Sequence, residues 1–247
     1  MTTGYTDLAG RGPVLDAVGH HPYARFVAGV GRDLRGVAVA GAAFWRCVGP
    51  FGPYGHLLGE PRAVPAAFAA AGDTGLFDGL IQVNLPAHEP VPAGWARREG
   101  WEYRWLTRRL VAPEGPAVRP VTDDDEICAL LDVAYPDTEL RPGHPLVRAW
   151  YGLHLDGQLV ACAADRSGVA PERGAVPTGV IGAVAVHPAY RGRGLGAVVT
   201  AAVASALHER YELVGLGVTD GNDPATRIYE ELGFTGRHAV VSARRGA

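Results

Sequence analysis

The stretch Ala185-Val186-His187-Pro188-Ala189-Tyr190-Arg191-Gly192-Arg193-Gly194-Leu195-Gly196 sets the end of an apolar strand, a short turn and a glycine-rich helix start in immediate succession. Glycines at 192, 194 and 196 remove side chains where a ligand must approach the backbone, so several N–H groups can converge on phosphate oxygens at the positive end of the helix. Arg191 and Arg193 add charge of the right sign. Leu195, Val198, Val199, Ala202, Val203 and Ala206 follow the i, i+3, i+4, i+7 rule and predict one apolar helix face packed on a sheet. Residues 180–186 contain no charged side chain, which suits a central strand covered on both faces.

Two common phosphate loops are excluded. The dinucleotide fingerprint needs G-x-G-x-x-G, whereas the glycines here alternate, and the P-loop needs a lysine in a chain that contains none. What remains, Arg191-x-x-Gly194-x-Gly196, resembles the pyrophosphate loop of the GNAT superfamily, the GCN5-related N-acetyltransferases. A second segment carries the same resemblance. Residues 213–219 read as a strand, Asp223 as an N-cap with Pro224 at the first helical turn, and Ala225, Ile228 and Leu232 as the buried helix face closed by Gly233 and Phe234. Asn222, Tyr229 and Leu232-Gly233-Phe234 are similar to the superfamily's second cofactor motif. Val118-Arg119-Pro120-Val121-Thr122-Asp123-Asp124-Asp125 resembles the strand, acidic cap and helix that open such a domain. The implied fold class is α/β, a mixed central sheet flanked by helices.

The resemblance implies acyl transfer from acetyl-CoA to the amine of a small molecule by direct attack in a ternary complex. Arg191, Gly192, Arg193, Gly194, Leu195 and Gly196 would hold the pyrophosphate. Val184, Ala185 and Val186 would run beside the pantetheine arm, with the Val186 amide near the thioester carbonyl. Asn222 would bond the arm or hold its own turn, and Tyr229 would be the general acid beside the sulfur or an ordinary packed aromatic. The base is less legible, because residues 180–186 lack the glutamate many relatives carry there. Asp220 acting through a water, His187, or a water chain remain as alternatives. That missing carboxylate also keeps open a non-catalytic acyl-CoA-binding or regulatory protein.

Composition narrows the partners. A net charge of −3 and a pI near 6.3 give no electrostatic reason to expect nucleic acid or an anionic membrane. Cys47, Cys128 and Cys162 are odd in number and widely spaced, so neither a disulfide framework nor a metal site is expected, and a reducing cytoplasm is the expected location. No apolar run reaches a membrane span. Apolar edge strands leave a homodimer open.

The first half is harder to read. Strand-like runs occupy 36–45 and 80–86, a helix is expected over 63–71, and an alternating strand over 101–111. Phe51-Gly52-Pro53-Tyr54-Gly55 reads as a turn-rich connection, and residues 112–116 as a Pro- and Gly-rich linker between an N-terminal α/β half, 1–111, and a GNAT domain, 117–247. Trp95-Ala96-Arg97-Arg98-Glu99-Gly100-Trp101 echoes Tyr229-Glu230-Glu231-Leu232-Gly233-Phe234, each read as a helix end, a glycine and an aromatic opening a strand. The layout resembles GNAT proteins whose degenerate first copy precedes a cofactor-binding second copy. Acceptor recognition is expected from 135–150, with Asp137, Glu139, Arg141, His144, Arg148 and Trp150, and from 167–177.

Overall fold

The computed structural model describes residues 4–49, 52–110, 117–167 and 178–245. By internal contacts they fall into two units, one of residues 4–103 with 238–245 and one of 104–167 with 178–237. The linker expected at 112–116 lies outside the described residues, and the last strand, expected in the second half, groups from residue 238 with the first unit.

The second unit opens with β7 (Arg119–Val121) and α4 (Asp124–Ala134), followed by β8 (Ala149–Leu155), β9 (Gln158–Asp165) and β10 (Thr178–Val186). Then come α5 (Leu195–His208), β11 (Leu213–Thr219) and α6 (Asp223–Glu231). Its strands lie in the order β11-β10-β9-β8-β7, antiparallel except for the parallel β10–β11 pair that α5 connects. This is the mixed sheet flanked by helices that the motifs imply. Asp123 caps α4 as expected, its carboxylate accepting from the amides of Asp125 and Glu126. Ile127, Leu130 and Leu131 of α4 pack with Cys162, Ala164, Ala183 and Ala185 on one sheet face, while α5 and α6 cover the other.

Two helix details differ from expectation. The α5 stripe centres on Val199, Val203 and Leu207 with Thr200, Ala201 and Ala204 also buried, and Ala202 and Ala206 are only half-buried. A helix apolar nearly all round carries too little periodicity to fix its buried face. The α6 N-cap is Asn222, not Asp223, because its side-chain oxygen accepts from the Ala225 amide at 3.3 Å. Asn and Asp cap about equally well, so the pair Asn222-Asp223 leaves the register open by one residue.

The first unit repeats this order. It contains β1 (Thr6–Ala9), α1 (Arg11–Ala17), α2 (Pro22–Val30), β2 (Arg32–Val39), β3 (Ala42–Gly49), β4 (Gly52–Gly59), α3 (Val64–Asp73), β5 (Gln82–Pro86) and most of β6 (Trp95–Trp105), completed by β12 (Gly236–Arg245) from residue 238. β2, β3 and β4 form an antiparallel meander, α3 crosses to β5 parallel to β4, and β12 pairs antiparallel with β5. The run 36–45 is thus a hairpin rather than one strand, turning at Ala40-Gly41 where Gly41 takes φ +93°. Residues 52–55 are strand rather than turn, and the strand expected over 101–111 runs over Trp95–Trp105. Residues 95–99 are therefore extended, so the echo with α6 fails locally. Alternation of charged and aromatic residues there outweighs the helix-forming composition.

One face of this sheet packs on α3 through Phe44, Leu57, Ala67, Leu85 and Val241. The other carries a buried polar row across three adjacent strands. His56 on β4 lies opposite Asn84 on β5, which lies opposite Ser242 on β12. The Ser242 hydroxyl donates to Asn84 Oδ1 at 2.9 Å, Gln82 donates to both, and Tyr23 Oη of α2 meets His56 Nδ1 at 3.0 Å. Burial pushes His56 down to about 3, so its imidazole is neutral and acts as a hydrogen-bonding partner.

Candidate active site

β10 begins as a regular central strand and changes character halfway. Ala183 and Val184 together oppose Ala163 alone, which makes a β-bulge, and Ala183 adopts φ +47°. An alanine in the left-handed region costs about 1–2 kcal/mol, so the surrounding packing must hold it there. The parallel ladder with β11 covers only Thr178–Ile181 and residues 213–216. Beyond it the two strands part, leaving the backbone edge of residues 182–186 unpaired toward β11.

The anion loop follows at the end of that edge. His187 closes the strand by donating its amide to Val160, and its Nδ1 accepts from the Ala189 amide at 3.2 Å, so its ring shapes the turn. Gly192 and Gly194 take φ +75° and +74° in open space, so glycine is needed there for backbone conformation rather than for room. Gly194 caps α5 without a side chain, and the amides of Leu195, Gly196 and Ala197 have no intrahelical acceptor. These donors, at the positive end of a helix from Leu195 to His208, are what a pyrophosphate requires, and the site fits one.

The expected residues divide by surroundings. Val184, Val186, Leu195 and Tyr229 meet in one apolar cluster with Ile228 and Val198. Ala185 points to the opposite face, against the α4 cluster. Tyr229 is 7% exposed, and burial, followed by the neighbouring Tyr135, pushes its phenol up to about 12. Asn222 and Asp220 are exposed in the turn after β11, Asn222 as the helix cap. Arg193 lies over the Tyr190 ring at 5.0 Å, and Arg191 donates to the carbonyls of Val186 and Ala134.

Of the segment expected to meet the acceptor, Trp150 is buried in β8 and Arg141 pairs with Asp132 at 2.6 Å, so both are structural. Residues 168–177 lie outside the described residues. The bulge at Ala183 was invisible in the sequence, since nothing distinguishes that alanine from its neighbours. Among the described residues no cluster of side chains is arranged to hold a metal, and no helix is long and apolar enough to cross a membrane.

The first unit lacks the corresponding loop. Residues 60–63 join β4 to α3 where 187–194 join β10 to α5, and no glycine-rich run stands there.

Strand parting, amide-lined loop and buried tyrosine together define an acyl-CoA N-acyltransferase fold, and comparison with known proteins agrees. Residues 161–242 match the family described as FR47-like protein. The mycothiol acetyltransferase of Salinispora arenicola is 28% identical, the alignment covering 99% of this chain and 78% of that protein. A GCN5-related N-acetyltransferase from Kribbella flavida matches with a TM-score of 0.56 at 21% identity, over 90% of this chain and 93% of that one. A tandem GNAT protein from the clavulanic acid biosynthesis pathway matches at a TM-score of 0.50 and 16% identity, over 99% of both chains. The chain has the GNAT fold, and the resemblance read from its motifs, tandem layout included, stands.

Proposed function

We propose that the second unit transfers an acetyl group from acetyl-CoA to the amine of a small molecule. One observation carries this reading: β10 parts from β11 directly beside an amide-rich loop at a helix N-terminus, with the Tyr229 phenol buried in the same cluster as Val184 and Val186. An open strand edge offers hydrogen bonds to an extended amide-bearing chain, as an added β-strand would, and the pantetheine arm is such a chain. The curated relative's name, a mycothiol acetyltransferase, supports acetyl transfer to a small molecule.

In the reaction the amine nitrogen attacks the thioester carbonyl carbon, the C–S bond breaks, and the thiolate leaves. Amides on the unpaired edge of β10 would receive the developing oxyanion, an effect worth about 3 kcal/mol when a donor is well aimed. Tyr229 stays protonated throughout the physiological range and offers its O–H to the leaving sulfur. A phenol at about 12 is a much weaker acid than a thiol, whose ordinary pKa is near ~8.5. Tyr229 therefore serves better as a hydrogen-bond donor to the thiolate than as a group that surrenders its proton. The amine proton passes to water, with Asp220, exposed in the turn after β11, the candidate carboxylate to receive it. One nucleotide site per chain is expected, because the first unit has no anion loop.

Calorimetric titration of acetyl-CoA, followed by thiol release with a panel of primary amines, tests the reading. Stoichiometry near one with amine-dependent thiol release supports it. Binding without transfer to any amine would leave an acyl-CoA-binding protein, and no binding would remove the proposal.

A further inference from the structure

The Arg191 side chain sits in the anion loop by sequence, yet its guanidinium is committed elsewhere. Nε donates to the Val186 carbonyl at 3.2 Å and Nη2 to the Ala134 carbonyl at 3.0 Å. Val186 ends β10 and Ala134 ends α4, so one planar fork joins the strand that leads into the loop to the helix on the sheet's other face. The pairing is chemically sound. Carbonyls in the last turn of a helix lack intrahelical donors and carry partial negative charge, and guanidinium can satisfy two acceptors at fixed geometry.

The residue after Ala134 is Tyr135. Its amide closes the last turn of α4 on Leu131 at 2.8 Å, while its side chain is 43% exposed. Arg191 ties the neighbouring Ala134 to Val186, and Val186 packs in the same apolar cluster as buried Tyr229. The clamp thus sets Tyr135 beside the end of β10, where Val186 shares an apolar cluster with Tyr229.

We propose that Arg191 is a positioning residue that fixes the end of α4 against the end of β10 and thereby presents Tyr135 as the acceptor-side wall of the site. The pyrophosphate is then held by backbone amides without this guanidinium. The inference rests on the transferase reading above, and its test separates the two.

Three measurements on Arg191→Ala and Arg191→Lys decide it. In the CoA-free protein, amide exchange at residues 131–135 rises about tenfold in Arg191→Ala, because the last turn of α4 loses its tether. Unchanged exchange there overturns the proposal. CoA titrated by calorimetry binds the variant within about threefold of wild type and with the same salt dependence, since no phosphate charge pair is lost. A loss of about thirtyfold or more with a flattened salt dependence would make Arg191 a phosphate ligand and overturn it. Thiol release from acetyl-CoA with ethanolamine as the probe amine shows a raised KM for the amine and little change in KM for acetyl-CoA. Tyr135→Ala reproduces that split, and Arg191→Lys, with a single donor centre, restores it only in part. A rise confined to the KM for acetyl-CoA contradicts the assignment. Should the wild type release no thiol with ethanolamine or any other amine, the transferase reading fails, and exchange and calorimetry still settle what Arg191 holds.

Discussion

Tyr229 and Asn222 each combine a structural role with a proposed functional one, and a substitution can separate the two. Tyr229→Phe removes the hydroxyl and keeps the packed ring, so stability should hold within about 1 kcal/mol while kcat falls about 10- to 100-fold. Because burial raises the phenol to about 12, it remains protonated well past the ordinary tyrosine value. The wild-type kcat profile should consequently show no descending limb from this group up to pH ~10. A tyrosine-dependent limb between neutrality and that point would mean that cofactor binding exposes or charges the site. For Asn222, replacement by Ala removes the cap of α6 and should cost about 1 kcal/mol in urea unfolding. Asn222→Asp keeps a capping oxygen, loses the amide N–H₂ donor and adds a negative charge, whereas Asn222→Ser keeps a cap without charge. Unchanged stability with about fivefold weaker CoA binding in Asn222→Ser is the outcome expected if Asn222 also bonds the pantetheine arm.

At the scale of elements, the loop before α5 depends on backbone conformation. Gly194 sits at φ +74° with open space around it, so Gly194→Ala should cost about 1 kcal/mol of stability and weaken CoA binding by distorting the amide array. Gly194→Asp adds negative charge where the phosphates would lie and should abolish binding, as calorimetry with a folded variant would show. A Cβ at Gly196 would meet Ile228 at 3.5 Å, an ordinary contact, so Gly196→Ala should bind CoA nearly as the wild type does. Equal losses at the two positions would argue against conformation as the requirement.

For the whole molecule, the first unit should be the more acid-sensitive part, because it holds the two histidines most strongly shifted by burial. Burial lowers His56 to about 3 and His238 to about 4, against 6.5 in an unfolded chain. A depressed folded pKa means that the unfolded state binds protons first, so the stability these groups contribute is complete above pH 6.5 and declines as the pH falls toward the folded values. The loss should amount to a few kcal/mol over that window, on the order expected for buried histidines forced to charge. Denaturant midpoints between neutrality and pH 4 would show it. His56→Phe should flatten the dependence while lowering neutral-pH stability by about 1–3 kcal/mol, since Tyr23 loses its partner.

Sequence alone determined the second unit closely. The charge-free strand, alternating glycines and the Asn222 to Phe234 segment fix local conformation, and each is contiguous in the chain, so their chemistry is legible without knowing what packs against them. Boundaries slipped only where neighbours compete equally, as Asn222 and Asp223 do for a cap, or where a helix such as α5 is apolar all round. The first unit was far less legible because its pairings join distant segments. Its sheet is completed by a strand more than a hundred residues away, as the Asn84–Ser242 bond shows. The bulge at Ala183, the destination of the Arg191 guanidinium and the polar row from His56 to Ser242 were decided by tertiary structure alone. Each depends on which atoms face one another after folding, and no local pattern of residue types encodes that.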